Sequence, residues 1–138
     1  FVTSTPATGT INLQGIQNYD GILGLNLKTT GASGNINVGQ ITTTTGGVSF
    51  TNSQKLSLLG NVSSSGAISQ VAGTGGTPSV ELGVVANGTT LSIQTTTSGS
   101  LIDIASPTIL NQTTNLTAAG AGSIDLRSSV NSNTTTPR

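Results

Sequence analysis

The sequence predicts an all-β protein: a parallel β-helix, or solenoid, of about 22 residues per rung, with three short strands in each rung and five to six rungs in all. Three observations predict it. Apolar-x-apolar triplets recur along the chain, the alternation expected of a strand with one buried face. The triplets hold phase in parallel tracks over five turns. The stretches between them are rich in Gly, Ser, Thr and Asn, which make turns and disfavour helix.

Residues 1–10, FVTSTPATGT, form a polar N-terminal arm. The repeat domain spans 11–130 and begins with I-N-L at 11–13, then L-N-L at 25–27 and, after TTGASG, I-N-V at 36–38 with Ile41 just beyond. V-S-F at 48–50, L-S-L at 56–58, Val62 and the region of Ile68 and Val71 follow. The corner GTGGTP leads to V-E-L at 80–82 and Val85, then to L-S-I at 91–93 and the corner TTTSGS. I-D-I at 102–104, Ile109, L-T-A at 116–118, I-D-L at 124–126 and Val130 complete the series, and 131–138, NSNTTTPR, is a polar tail.

Sorted by phase, these fall into three tracks. The first holds the triplets starting at 11, 36, 56, 80, 102 and 124, with steps of 25, 20, 24, 22 and 22. The second holds those at 25, 48, the Ile68 region, 91 and 116, and the third Ile41, Val62, Val85, Ile109 and Val130. Stacked at the ~4.8 Å between paired strands, five to six rungs make a stub of roughly 25–30 Å with one narrow apolar column. The alternative is an antiparallel β-sandwich, whose short strands recur about every 8–12 residues. Three tracks in phase favour the solenoid.

Composition narrows the function classes. Thr (25), Gly (19), Ser (18) and Asn (12) fill over half of the 138 residues, a length suited to one domain. Leu, Ile, Val and Phe occupy 35 positions at zero net charge, enough for a packed rather than disordered chain. The four bases, Lys28, Lys55, Arg127 and Arg138, are scattered, so nucleic acid is not an expected partner. No apolar run approaches the roughly 18 residues of a spanning helix, so no membrane insertion is expected. Without cysteine there is no disulfide scaffold and no thiol chemistry. A start at Phe1 suggests a processed chain or an excised fragment.

The stretches GNINVGQI, KLSLLGNVSSSGAISQVAGTG and TTLSIQTTTSGSLIDI resemble the degenerate repeats of filamentous haemagglutinin-type exoproteins, the two-partner-secretion adhesins of Gram-negative bacteria. The similarity covers roughly residues 9–130. It implies a right-handed parallel β-helix, secretion to the extracellular space or bacterial cell surface, and a role in adhesion or biofilm matrix. It carries no catalytic motif.

The residues themselves offer no catalytic set. General acid and base chemistry needs positioned titratable groups, and the chain has Asp20, Glu81, Asp103 and Asp125 and no His. The nucleophile elbow, the phosphate loop and the dinucleotide fingerprint are absent. No enzyme activity and no cofactor are expected.

One constellation stands out. Glu81, Asp103 and Asp125 are each the middle residue of a triplet, 22 residues apart, so they point outward and stack as a ladder of carboxylates about 5 Å apart. Such a ladder is a candidate Ca²⁺ site, because that ion takes carboxylate and carbonyl oxygens. The plainer reading is a solvated charged stripe, with Lys55 leaning toward Glu81, Arg127 screening Asp125, and Asp103 left without a basic partner. The Thr runs at 42–45 and 95–97 could present hydroxyl rows, and five N-x-[ST] sequons begin at Asn61, Asn87, Asn111, Asn115 and Asn133.

No capping segment is evident in the sequence, so the last rungs are expected to expose backbone edges and apolar column. Phe1 and Val2 form an apolar pair outside the repeat and are candidate assembly residues that insert into a neighbouring copy. The expected function is therefore a structural segment or self-assembling subunit of a bacterial surface or biofilm-matrix filament, self-associating head to tail into fibres. The alternative is an adhesin segment that binds surface glycan or a host surface along one solenoid face.

Overall fold

The computed structural model describes residues 2–4, 9–19, 24–84 and 89–133. Among them are fifteen strands and no helix. In chain order they are β1 (Val2–Ser4), β2 (Thr10–Tyr19), β3 (Gly24–Lys28), β4 (Asn35–Thr43) and β5 (Gly47–Asn52). Next come β6 (Lys55–Leu58), β7 (Val62–Ser64), β8 (Ile68–Ala72), β9 (Ser79–Leu82) and β10 (Leu91–Thr95). The last are β11 (Ile102–Ile104), β12 (Thr108–Leu110), β13 (Thr114–Thr117), β14 (Ile124–Leu126) and β15 (Val130–Ser132).

Every pairing between them is parallel, and each strand lies on one roughly a turn earlier in the chain. The result is a β-solenoid of about five turns with three faces. Face one stacks the first halves of β2 and β4 with β6, β9, β12 and β15. Face two stacks β1, β3, β5, β8, β11 and β14. Face three stacks the second halves of β2 and β4 with β7, β10 and β13.

The strands form because alternate side chains can be buried in the column the three faces enclose. In β4 the pattern runs inward at Ile36, Val38, Ile41 and Thr43, and the apolar three are fully buried. Phe50 is the largest fully buried side chain, and it joins Leu25, Leu27, Leu56, Leu82, Leu91, Ile93 and Ile102 in one continuous core. Each such side chain stabilises the fold by roughly 1.5–3 kcal/mol through removal from water.

The corner between faces one and three depends on glycine. A Cβ on Gly39 would collide with the Gly15 carbonyl of the rung below, and one on Gly60 would stand 2.7 Å from the backbone nitrogen of Gln40. The backbones can therefore stack at this corner only where side chains are missing.

Polar side chains occupy the column where apolar ones run out, and all of them are satisfied. Gln70 is the fullest case: its amide nitrogen donates to Asn52 Oδ1 (2.7 Å) and Ser106 Oγ (2.8 Å), and its Oε1 accepts from the backbone nitrogens of Ala105 and Ser106, each at 3.0 Å. Gln70 lies in register between Phe50 and Ile104, so a buried amide replaces an apolar residue at that level. On face three Thr43, Ser64 and Thr95 stack inward, with Thr43 Oγ1 donating to the Gly46 carbonyl at 2.6 Å. Among the described residues no buried side-chain polar atom lacks a hydrogen-bond partner.

The three tracks read from the sequence hold through Leu82 and then change places. I-D-I at 102–104 was expected on face one above V-E-L, but β11 pairs with β8, Ile102 opposite Ile68. L-S-I at 91–93 was expected on face two, but Ile93 lies opposite Val62 on face three, and Leu116 follows it there. Ile109 and Val130 were expected in the third track, whereas β12 and β15 continue face one, with Thr108 as the inward residue between Val80 and Val130.

The cause is the connection from face one to face three. It passes from Leu58 to Val62 in one turn but from Leu82 to Leu91 in the next. The longer passage shifts every later triplet by one face. The apolar-x-apolar pattern is the same on all three faces, so the period of 22 survived the shift and concealed it. The solenoid also reaches beyond 11–130 at both ends: β1 pairs with β3, and β15 runs to Ser132.

Candidate functional site

Face two carries an outward row of Asn26, Ser49, Ser69, Asp103 and Asp125, one residue from each successive strand. Their direction follows from alternation, since the flanking Ile102 and Ile104 fill the column. Asp103 and Asp125 thus stack as expected. Glu81 does not join them. It lies on face one, opposite Ser57 in β6 and Ile109 in β12, because β9 and β11 belong to different faces. The three-carboxylate ladder is replaced by a pair and a separate acid, and no group of three or more His, Cys, Asp or Glu side chains converges among the described residues. Asp20 lies outside those residues.

The bases distribute accordingly. Lys55 Nζ stands 3.4 Å from Glu81 Oε1, the contact foreseen from the sequence. Arg127 reaches back one rung to Asp103, and the Asp125 charge adds a smaller attraction. Its Nε donates to Asp103 Oδ1 at 2.7 Å and its Nη2 to Asp103 Oδ2 at 2.8 Å. Hydrogen bonding to Asp103, together with that carboxylate's charge, raises the pKa of the Arg127 guanidinium above its ordinary value. Asp103, expected to lack a partner, therefore has the closest one, while Asp125 stays exposed. Beside this row, Gly24, Gly47, Ala67, Ser49 and Ser69 line a shallow open cavity of about 210 Å³.

The last rung is the other notable feature. Among the described residues β13, β14 and β15 each pair on one side only, with β10, β11 and β12. Over the sealed level of Ile93 and Ile102, both unexposed, Ile124 is 43% and Val130 41% exposed, and Leu116 and Leu126 are only partly covered. The first rung differs. Ile11 is 6% exposed, and the register places Gln17 opposite Ile41, with Ile16 facing out.

Remaining expectations resolve individually. Phe1 lies outside the described residues, while Val2 pairs through its backbone with Leu25 in β3. The Thr runs do not make flat outward rows: Thr43 and Thr95 are buried, and Thr42 lies against Ser63. Of the sequons, Asn111 is buried and holds the Gly83 carbonyl, Asn61 accepts from the Ser92 backbone nitrogen at 2.9 Å, Asn115 is exposed, and Asn87 lies outside the described residues.

Comparison with known proteins finds no family model, no curated protein and no solved structure that matches this chain.

Proposed function

We propose that this chain is a non-catalytic structural segment, a self-associating β-solenoid scaffold of a bacterial surface or biofilm-matrix filament. The observation that carries this reading is the ladder itself, in which the strands of successive turns pair in parallel around one continuous apolar core. Stacked turns add backbone hydrogen bonds and apolar burial along one axis, which suits an elongated scaffold. The extracellular placement rests on the resemblance to filamentous haemagglutinin-type repeats. Sedimentation across a concentration series, followed by negative-stain microscopy, tests the reading. Concentration-dependent, end-joined particles of uniform width are expected, and monomeric stubs at every concentration would sink it.

A second reading has its own observation. The outward row of Asn26, Ser49, Ser69 and Asp103 beside the 210 Å³ cavity offers hydrogen-bonding groups in a repeating line, suited to an extended glycan. An adhesin segment would use that face. A glycan array with the purified chain tests it, and retention of a defined oligosaccharide that is lost on Ser69→Trp is the expected outcome.

A further inference from the structure

The apolar pattern fits two registers. In one the 22-residue step continues without interruption, and I-D-I at 102–104 stacks on V-E-L at 80–82, with Ile104 over Leu82. In the structure the triplet instead lies on β8, with Ile102 opposite Ile68 and Ile104 opposite Gln70. Both bury an alternating face, so hydrophobic burial alone does not separate them. The choice shapes the surface: Asp103 joins Ser69 in the outward row of face two, where the other register would set it on Glu81.

Gln70 distinguishes the two. It is buried, and the chain bends at Ser106 ahead of Pro107, so the backbone nitrogens of Ala105 and Ser106 converge on its Oε1 at 3.0 Å each. Its amide nitrogen donates to Ser106 Oγ at 2.8 Å and to Asn52 Oδ1 at 2.7 Å. In the uninterrupted register L-S-I would cover β8, placing Ile93 over Gln70 and the extended run Gln94–Thr95 beyond it. Successive N–H groups of an extended strand point to opposite sides, so that run offers one donor where the bend offers two. A buried amide left short of partners is costly because water cannot replace them. The face-three contact of Asn61 with the Ser92 nitrogen is at an exposed residue, where water can. Like charges also oppose the alternative, with Glu81 beneath Asp103, but at the surface, where salt screens them.

We infer that Gln70 is a register lock: its buried amide, matched to the bend at Ala105 and Ser106, directs I-D-I onto β8 and face two rather than onto β9 and face one. One buried side chain thereby selects between two arrangements of one sequence, the role that single polar core residues play in fixing the register of coiled coils.

Because the chain has no cysteine, paired substitutions report the register directly. Ser69→Cys with Asp103→Cys reads the observed register, and Glu81→Cys with Asp103→Cys the uninterrupted one, each by oxidation and peptide mapping. The second pair also removes both opposing acids, so selection that persists with it is not electrostatic. With Gln70 in place only the first pair is expected to cross-link. Gln70→Leu is expected to let the second pair cross-link as well. Adding Leu82→Gln moves the amide to the position that Ala105 and Ser106 would meet in the other register, and the yield of the second cross-link is then expected to exceed that of the first. Circular dichroism follows strand content, and the combined variant decides if Gln70→Leu alone loses its strands. Cross-linking of the first pair alone in all three backgrounds would overturn the lock. So would the second cross-link with Gln70 intact, and so would loss of strands in the combined variant, which the lock requires to fold.

Discussion

Asp103 and Arg127, 24 residues apart, meet in a two-point ion pair, with Nε to Oδ1 at 2.7 Å and Nη2 to Oδ2 at 2.8 Å. The separation is one turn of the solenoid plus the two residues that take Arg127 past Asp125 on the next strand. The guanidinium fork matches a carboxylate in both distance and plane, which is why the pair forms with the acid one rung away. A double-mutant cycle of Asp103→Asn and Arg127→Gln is expected to show favourable coupling in thermal melts. The pair lies at the surface, so the coupling should shrink as salt rises from about 0.02 to about 0.5 M. Coupling absent at low salt would mean that the pair contributes nothing to stability.

The strand register can be tested directly with engineered cysteines. Ser69 and Asp103 are direct partners on face two, whereas Glu81 and Asp103 belong to different faces. Neighbouring paired residues fall within the ~4.4–6.8 Å Cα separation that a disulfide bridges. Ser69→Cys with Asp103→Cys should therefore oxidise readily within one chain, and Glu81→Cys with Asp103→Cys should not, as read by thiol titration and peptide mapping. The opposite result would restore the uninterrupted 22-residue register.

Gln70 is the polar residue whose loss should cost most. Replacement by Leu keeps the volume but removes the partners of Asn52 Oδ1, the Ser106 hydroxyl and the Ser106 backbone nitrogen. A buried polar group left unpaired costs about 1–3 kcal/mol. With several stranded at once, Gln70→Leu should destabilise by more than about 2 kcal/mol in urea unfolding. A variant as stable as the parent would show that water or local rearrangement satisfies those groups.

Gly39 should resist even the smallest side chain. Gly39→Ala drives a Cβ into the Gly15 carbonyl, and backbone cannot rotate away as a flexible side chain can. Relief requires separating two rungs at the corner where β2 and β4 turn, so the variant should lose about 1–3 kcal/mol, the usual cost of overpacking, by urea unfolding. A loss confined to a few tenths of that range would indicate that the bulge between Leu13 and Ile16 absorbs the strain.

Most of the fold was legible because it follows from local patterns. Alternation at I-N-V and V-S-F placed Ile36, Val38, Val48 and Phe50 inward, and all four are buried. The contact of Lys55 with Glu81 was legible for the same reason, since both lie before the long passage that follows Leu82. The partner of Asp103 was not. Its neighbours depend on which face I-D-I occupies, and a triplet carries no mark of its face.

The sequence by itself determined that the chain is built of short parallel strands around one apolar column, because inward and outward positions are set by alternation within each strand. Only the tertiary structure decided which strand lies on which after Leu82 and which acids share a face. Those depend on the path length between strands and on contacts a full turn apart, where hydrogen bonds join backbones irrespective of side chain. Gln70, bonded to Asn52 and Ser106 on either side of the longer passage, belongs to that second kind of information.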